Sequence, residues 1–158
     1  MSQIPEVGDK APDFALSNQD GESVRLSDSS GKWMVVYFYP KDDTPGCTVE
    51  AIEFTELRKQ FENENAVLLG VSPDTEAKHC KFIDKHKLSI DLLADIEKTM
   101  LSDYGVWQEK SMYGRTYMGV VRTTYLIDPK GNIAEVWTKV KAKGHAGAVL
   151  ERLKEIKG

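Results

Sequence analysis

Two strand-length runs without a charged side chain restrict this sequence more than anything else in it: "WMVVYFY" from Trp33 to Tyr39, and "AVLLGV" from Ala66 to Val71. Each is too short for an ordinary helix, is rich in β-branched or aromatic residues, and ends at a proline, Pro40 or Pro73. That combination predicts strands buried on both faces. Between them, Ala51, Phe54, Leu57 and Phe61 recur at helical spacing, with Glu50, Glu53, Glu56, Arg58, Lys59 and Gln60 filling the gaps. An amphipathic helix from Thr48 to Phe61 follows. A strand, a helix and a second strand in that order make a parallel pair with the helix lying on the sheet.

The rest of the chain extends this pattern. "TEAKHCKFIDKHK" predicts a second helix, "SIDLLAD" a short strand, and "EKTMLSDYG" a third helix ending near Gly105. "TTYLIDPKGNIAEVWT" reads as two strands around an Asp128–Gly131 turn, and "DFALSNQDGESVRL" as an N-terminal hairpin around Gln19–Gly21. "HAGAVLERLKEIK" closes the chain with Val149, Leu150, Leu153 and Ile156 on one helical stripe. The aromatic stretch through Tyr104, Trp107, Tyr113 and Tyr117 reads as a long packed loop that walls the site or fills space. The expected architecture is α/β: a central mixed sheet flanked by helices on both faces, preceded by a β-hairpin. With 158 residues and no linker, repeat or low-complexity segment, residues 1–158 form one domain.

A formal net charge of −4 gives no general attraction to nucleic acid or to anionic lipid. "MSQIPEVGDKAPDF" lacks the basic start and apolar core of a signal peptide, and no stretch approaches the roughly 20 apolar residues of a membrane helix. A cytoplasmic, non-membrane protein is expected. Its two cysteines, Cys47 and Cys80, cannot build a disulfide framework, which leaves catalysis, a transient disulfide or inert packing as their uses in a reducing compartment.

Cys47 is the informative one, because it follows the polar turn after the first buried strand. Thr44, Pro45, Gly46 and Cys47 fit an N-cap and the first three positions of a helix. First-turn amides have no intrahelical acceptors and carry the positive end of the helix dipole, so a sulfur placed there is better stabilised as thiolate than as thiol. The spacing Cys47, Ala51, Phe54, Phe61 turns that sulfur toward the packed side of the helix. Asp42 and Asp43 would oppose the charge if they faced it, which calls for a nearby cation. Arg122 is the first candidate, since it introduces a strand able to run beside Trp33–Tyr39; Lys41 is the second, with a less rigid set of donors. If the target were a peroxide, thiolate attack would place charge on the departing oxygen, which the Thr44 hydroxyl, the Gly46 and Cys47 amides and Arg122 would receive. Pro40 would fix the turn and bring no N–H to the site.

Pro40-x-x-x-Thr44-x-x-Cys47 resembles the peroxidatic signature of peroxiredoxins, and Arg122 in "VVRTTYLID" matches their active-site arginine. "GDKAPDF", "YFYPKDDTPGCTVEA", "GVSPD" and "YGVWQEKSMYGRTYMGVVRTTYLIDPKG" extend the resemblance along nearly the whole chain, most closely to the bacterioferritin comigratory, or Q-type, subfamily. The resemblance implies a thioredoxin-like fold, no cofactor, a monomer, and reduction of hydrogen peroxide and organic hydroperoxides through a Cys47 sulfenic acid, with electrons from thioredoxin or another thiol.

Many Q-type members carry a resolving cysteine five residues after the peroxidatic one, where this chain has Ile52. Others carry it on the helix after the second core strand. Here Cys80 lies on that helix about one turn before the usual position, which aligns with Ile83. Two cycles stay open: resolution by Cys80, or resolution by an external thiol. Glu50, Glu53 and Glu56 read as a solvated helix face, with Glu50 also placed to orient Arg122. His79 and His86 flank Cys80 without the spacing of a structural metal site. The alternatives to a peroxidase are a thioredoxin-like disulfide oxidoreductase, which lacks its Cys-x-x-Cys because Glu50 stands at the second position, and a redox-inert binding module, which predicts slow alkylation of Cys47.

Overall fold

A computed structural model describes residues 4–158. Its centre is a seven-stranded mixed sheet. Strand β3 (Trp33–Phe38) pairs in parallel with β4 (Ala66–Ser72), which pairs in parallel with β5 (Asp91–Ala94). On the other side of β3 runs β8 (Thr123–Ile127), antiparallel, followed by β9 (Ile133–Thr138), also antiparallel. The N-terminal hairpin, β1 (Ala15–Ser17) and β2 (Ser23–Arg25), joins the edge beyond β5 through Ser17 opposite Ala94. The expected mixed sheet and hairpin are both present, and β3 is central as its apolar run requires.

Side chains alternate across β3. Val35, Tyr37 and Tyr39 enter a core beneath helices α1 (Pro45–Glu56), α2 (Arg58–Asn63), α3 (Glu76–His86) and α5 (His145–Lys157). Met34, Val36 and Phe38 enter a second core on the opposite face, closed by the short helix α4 (Thr99–Asp103) and the N-terminal segment. Burial on both faces accounts for the absence of charge in the run.

Two expectations change. The helix read through to Phe61 starts at Pro45, as its Thr44 cap implies, but leaves helical geometry at Leu57, so α1 and α2 are separate segments. Hydrogen bonds pass through the break, from Leu57 N–H to Glu53 O and from Phe61 N–H to Leu57 O. The bend lets α1 pack on α5 while α2 packs on β4. The aromatic stretch is no loop: β6 (Trp107–Met112) and β7 (Arg115–Val120) form a second, two-stranded sheet. Its turn is Tyr113-Gly114, both at positive φ as a tight hairpin requires. Tyr104 is buried in the second core, whereas Tyr113 is 97% exposed and packs on nothing.

His145 opens α5 inside the protein. Its Nε2 lies 2.8 Å from Thr124 Oγ1, and its ring meets Phe54 and Trp137 edge-on. Burial pushes the imidazole down to about 4 from an ordinary 6.5. The unfolded chain therefore takes up a proton near pH 6.5 that the folded chain refuses until about pH 4. This contribution to stability is complete above pH 6.5 and declines as pH falls toward 4, by about 3 kcal/mol. His145→Gln is expected to lose markedly less stability than the parent between pH 7 and pH 4 in urea titrations. An equal acid loss in both proteins would assign that loss to other groups.

Candidate active site

The C-terminal ends of β3 and β4 and the start of β8 lie together, because β8 runs opposite to both neighbours in the order of the chain. Phe38 stands across from Val71 on one side and from Thr123 on the other. The residue before Thr123 and the residues after Phe38 therefore meet at one end of the sheet. Pro40, half-buried, ends β3 there. Thr44 occupies the N-cap of α1, Pro45 the first helical position and Cys47 the third, as the sequence requires.

Cys47 is 1% exposed, packed within the helix-side core. The Arg122 guanidinium reaches it: Nη2 donates to Sγ at 3.0 Å, and Nη1 donates to Glu50 Oε1 at 3.1 Å. Glu50 lies three residues beyond Cys47 on α1, so both face the same side of the helix. Arg122 is fixed at its backbone by Val140 N–H, which donates to its carbonyl at 3.0 Å. Among the described residues the guanidinium of Arg122, and not the ammonium of Lys41, is the cation on the sulfur.

Glu50 departs from the solvated face expected for the three glutamates. It is buried, and burial outweighs the pull of the Arg122 guanidinium to push its carboxyl up to about 7. Glu53 accepts from Gly144 N–H at the start of α5, and Glu56 is exposed. Thr44 also departs in part. It holds the N-cap position, but its hydroxyl donates to Lys41 O at 2.8 Å and makes no capping bond. The hydroxyl oxygen keeps its lone pairs.

Gly46 owes its identity to a close approach. A Cβ at this position would stand 2.8 Å from Arg122 Nη2 and 3.3 Å from Cζ, so the guanidinium lies against bare backbone on its way to the sulfur.

The two acidic residues ahead of Cys47 bond toward α3. Asp42 Oδ2 lies 2.7 Å from His79 Nδ1, and Asp43 accepts from Lys85 Nζ at 2.7 Å and lies 2.9 Å from His86 Nε2. Asp43 takes φ 60, a conformation aspartate tolerates better than most residues. His79 was legible only as an imidazole beside Cys80. Its place three residues before Phe82, on the apolar stripe of α3, was the signal that it turns inward.

Cys80 sits on the exposed side of α3, with Sγ 4.0 Å from Asp84 Oδ2. Both cysteines are free thiols. Ile83, where the resemblance places the resolving cysteine, packs against the core. Among the described residues, no three His, Cys, Asp or Glu side chains gather to hold a metal ion.

What this arrangement offers chemically is a sheltered sulfur, a rigid fork of cationic donors on it, and the unpaired amides of a helix start around it. Fold and site together define a thioredoxin-fold protein with one protected thiol centre. The chain belongs to the AhpC/TSA family, whose profile matches residues 7–136. Peroxiredoxin Bcp of Bacillus subtilis is 47% identical over 151 residues, 96% of each chain. Among solved structures, a mutant of PrxQ from Xylella fastidiosa superposes with a TM-score of 0.94 at 37% identity, covering 99% of this chain and 100% of the other. The bacterioferritin comigratory protein of Xanthomonas campestris, solved in a study of its alkyl peroxide reduction activity, superposes with a TM-score of 0.88 at 39% identity over 92% of each chain. The resemblance to Q-type peroxiredoxins is borne out.

Gly46→Ala is expected to push the guanidinium off the sulfur while improving helix propensity. Losing a hydrogen bond to a charged group costs about 1.5 to 3 kcal/mol, so the rate at which hydrogen peroxide oxidises Cys47 should fall roughly 10- to 100-fold with little loss of thermal stability. An unchanged rate would detach Arg122 from the chemistry.

Proposed function

We propose that this protein is a thiol-dependent peroxidase that reduces hydrogen peroxide and organic hydroperoxides. The single observation that carries the reading is the 3.0 Å contact from Arg122 Nη2 to a Cys47 sulfur that solvent barely touches. The Cys47 thiolate attacks one oxygen of the peroxide; an S–O bond forms, the O–O bond breaks, and the leaving oxygen departs with the electron pair and is protonated to an alcohol or water. Arg122 and the first-turn amides receive the charge that develops on the departing oxygen. Thr44 supplies a hydroxyl at the mouth of the site, and Pro40 fixes the turn without adding an N–H. The product is the Cys47 sulfenic acid.

A thiol then condenses with that sulfenic acid, expelling water and forming a disulfide, and a second thiol releases Cys47 in reduced form. Thioredoxin suits the second step, in a cytoplasm that keeps thiols reduced. Cys80 is the internal candidate for the first. Its exposed position on α3 supports access to solvent, while the burial of Cys47 means that the first turn of α1 must open before another thiol reaches its sulfur. The protein acts as a monomer. The disulfide oxidoreductase alternative loses ground because Glu50, at the position of the missing second cysteine, is bonded to Arg122.

Stopped-flow mixing with hydrogen peroxide is expected to oxidise Cys47 rapidly, and Cys47→Ser to abolish turnover; a serine variant as active as the parent would sink the proposal. Mass spectrometry after one equivalent of peroxide assigns the cycle. A Cys47–Cys80 bond marks internal resolution, and a sulfenic acid at Cys47 with Cys80 still free marks an external resolver.

A further inference from the structure

Resting on the peroxidase reading, we infer that the buried contact between Asp42 and His79 is a clasp that sets how quickly oxidised Cys47 becomes available to any resolving thiol. Cys47 is 1% exposed, so a resolving thiol, internal or external, waits for the first turn of α1 to leave its seat. The segment that must move is the loop from Lys41 to Thr44, and its ties are specific. Asp42 N–H donates to Asp74 Oδ2 at 2.7 Å, and Ser72 Oγ donates to the same carboxylate oxygen at 2.8 Å. Asp42 Oδ1 accepts from Tyr39 Oη at 2.6 Å, and Oδ2 meets His79 Nδ1 at 2.7 Å. His79 is fully buried, and its Nε2 donates to Leu93 O at 2.9 Å.

The Leu93 carbonyl can only accept, so Nε2 carries a hydrogen, and Nδ1 faces the Asp42 carboxylate at 2.7 Å, with Tyr39 Oη farther off at 3.4 Å. When the loop leaves, the Asp42 carboxylate goes with it and the buried His79 imidazole loses its short partner, which makes the opening unfavourable. The neighbouring ties from Asp43 to Lys85 and His86 lie at the surface, where such pairs contribute little. The clasp thus keeps Cys47 in its peroxide-ready place and delays its emergence. The delay has a chemical consequence: a sulfenic acid that lingers beside its donors meets a second peroxide and becomes sulfinic acid.

The test uses the full-length protein in a Cys80→Ser background, so that internal resolution does not compete, with Asp42→Asn and His79→Gln on the two sides of the contact. Asp42→Asn keeps the shape of the side chain, so one readable variant remains if His79→Gln fails to fold. Each protein is oxidised with one equivalent of hydrogen peroxide and mixed with the thiolate of 2-nitro-5-thiobenzoate. That thiolate attacks Cys47 sulfenic acid: an S–S bond forms, the S–O bond breaks, hydroxide leaves, and the yellow colour is lost. Hydrogen exchange of residues 41–48 is followed in the reduced proteins. The expected result is capture at least tenfold faster than in the parent, less sulfinic acid at a fixed peroxide excess, no faster initial oxidation of Cys47, and faster exchange confined to residues 41–48. The double variant should match either single one.

Capture within twofold of the parent would overturn the inference. So would acceleration accompanied by equal loss of protection throughout β3 and β4, which marks general loosening. If no protein, parent included, consumed the coloured thiolate after peroxide, the peroxidase reading would fail, and the exchange rates in the reduced proteins would still decide whether the contact holds the loop.

Discussion

A guanidinium can rest 3.0 Å from the Cys47 sulfur only because β8 runs antiparallel to β3. With Phe38 opposite Thr123, leaving β3 and entering β8 happen at the same end of the sheet, a few residues from the helix start that carries the sulfur. A parallel strand in that position would deliver Arg122 to the far end. The parallel pairing of β3 with β4, and of β4 with β5, is equally necessary, because it returns the chain through α1 and α3 on one face and stacks both helices over the same core. The site is therefore a product of strand direction, and its loops need only be short.

Glu50 shows how burial tunes such a site. An exposed carboxylate so near Cys47 would be an anion beside a sulfur whose reaction requires negative charge of its own. Burial holds the Glu50 carboxyl to about 7, so near neutrality it carries only part of a charge while still accepting from Arg122 Nη1. Arg122 is thereby oriented by a group that competes weakly for its charge, and the other arm of the guanidinium is left to the sulfur. Gly46 completes the fit by offering no side chain where the guanidinium passes.

Most of the fold was legible because its signals are local. The uncharged runs marked β3 and β4, the apolar stripe of α5 gave its bounds, and Thr44-Pro45-Gly46-Cys47 announced a helix start. Arg122 was found because strand pairing could be argued from the order of elements. What was missed depended on tertiary context. The β6–β7 hairpin carries many exposed residues and therefore lacks the one-sided burial that makes a strand visible; its Tyr113-Gly114 turn was its only firm mark. The break at Leu57 lies inside a continuous helical pattern and follows from α1 and α2 packing on different partners. The partnership of Glu50 with Arg122 was legible, but its burial was not, because Glu50 matches its charged neighbours in type and its partner arrives from 72 residues away.

The acidic pair before Cys47 makes the same point in electrostatic terms. Read along the chain, Asp42 and Asp43 threaten the charge on the sulfur. In an extended segment, consecutive side chains point to opposite sides, so one carboxylate would face α3 and the other would face away. The left-handed turn at Asp43 removes that alternation, and both carboxylates reach bases on α3: His79 for Asp42, Lys85 and His86 for Asp43. One backbone conformation thus answers two requirements. It pairs two negative charges with basic partners on α3, and it converts them into the ties that join the loop before Cys47 to the helix bearing Cys80.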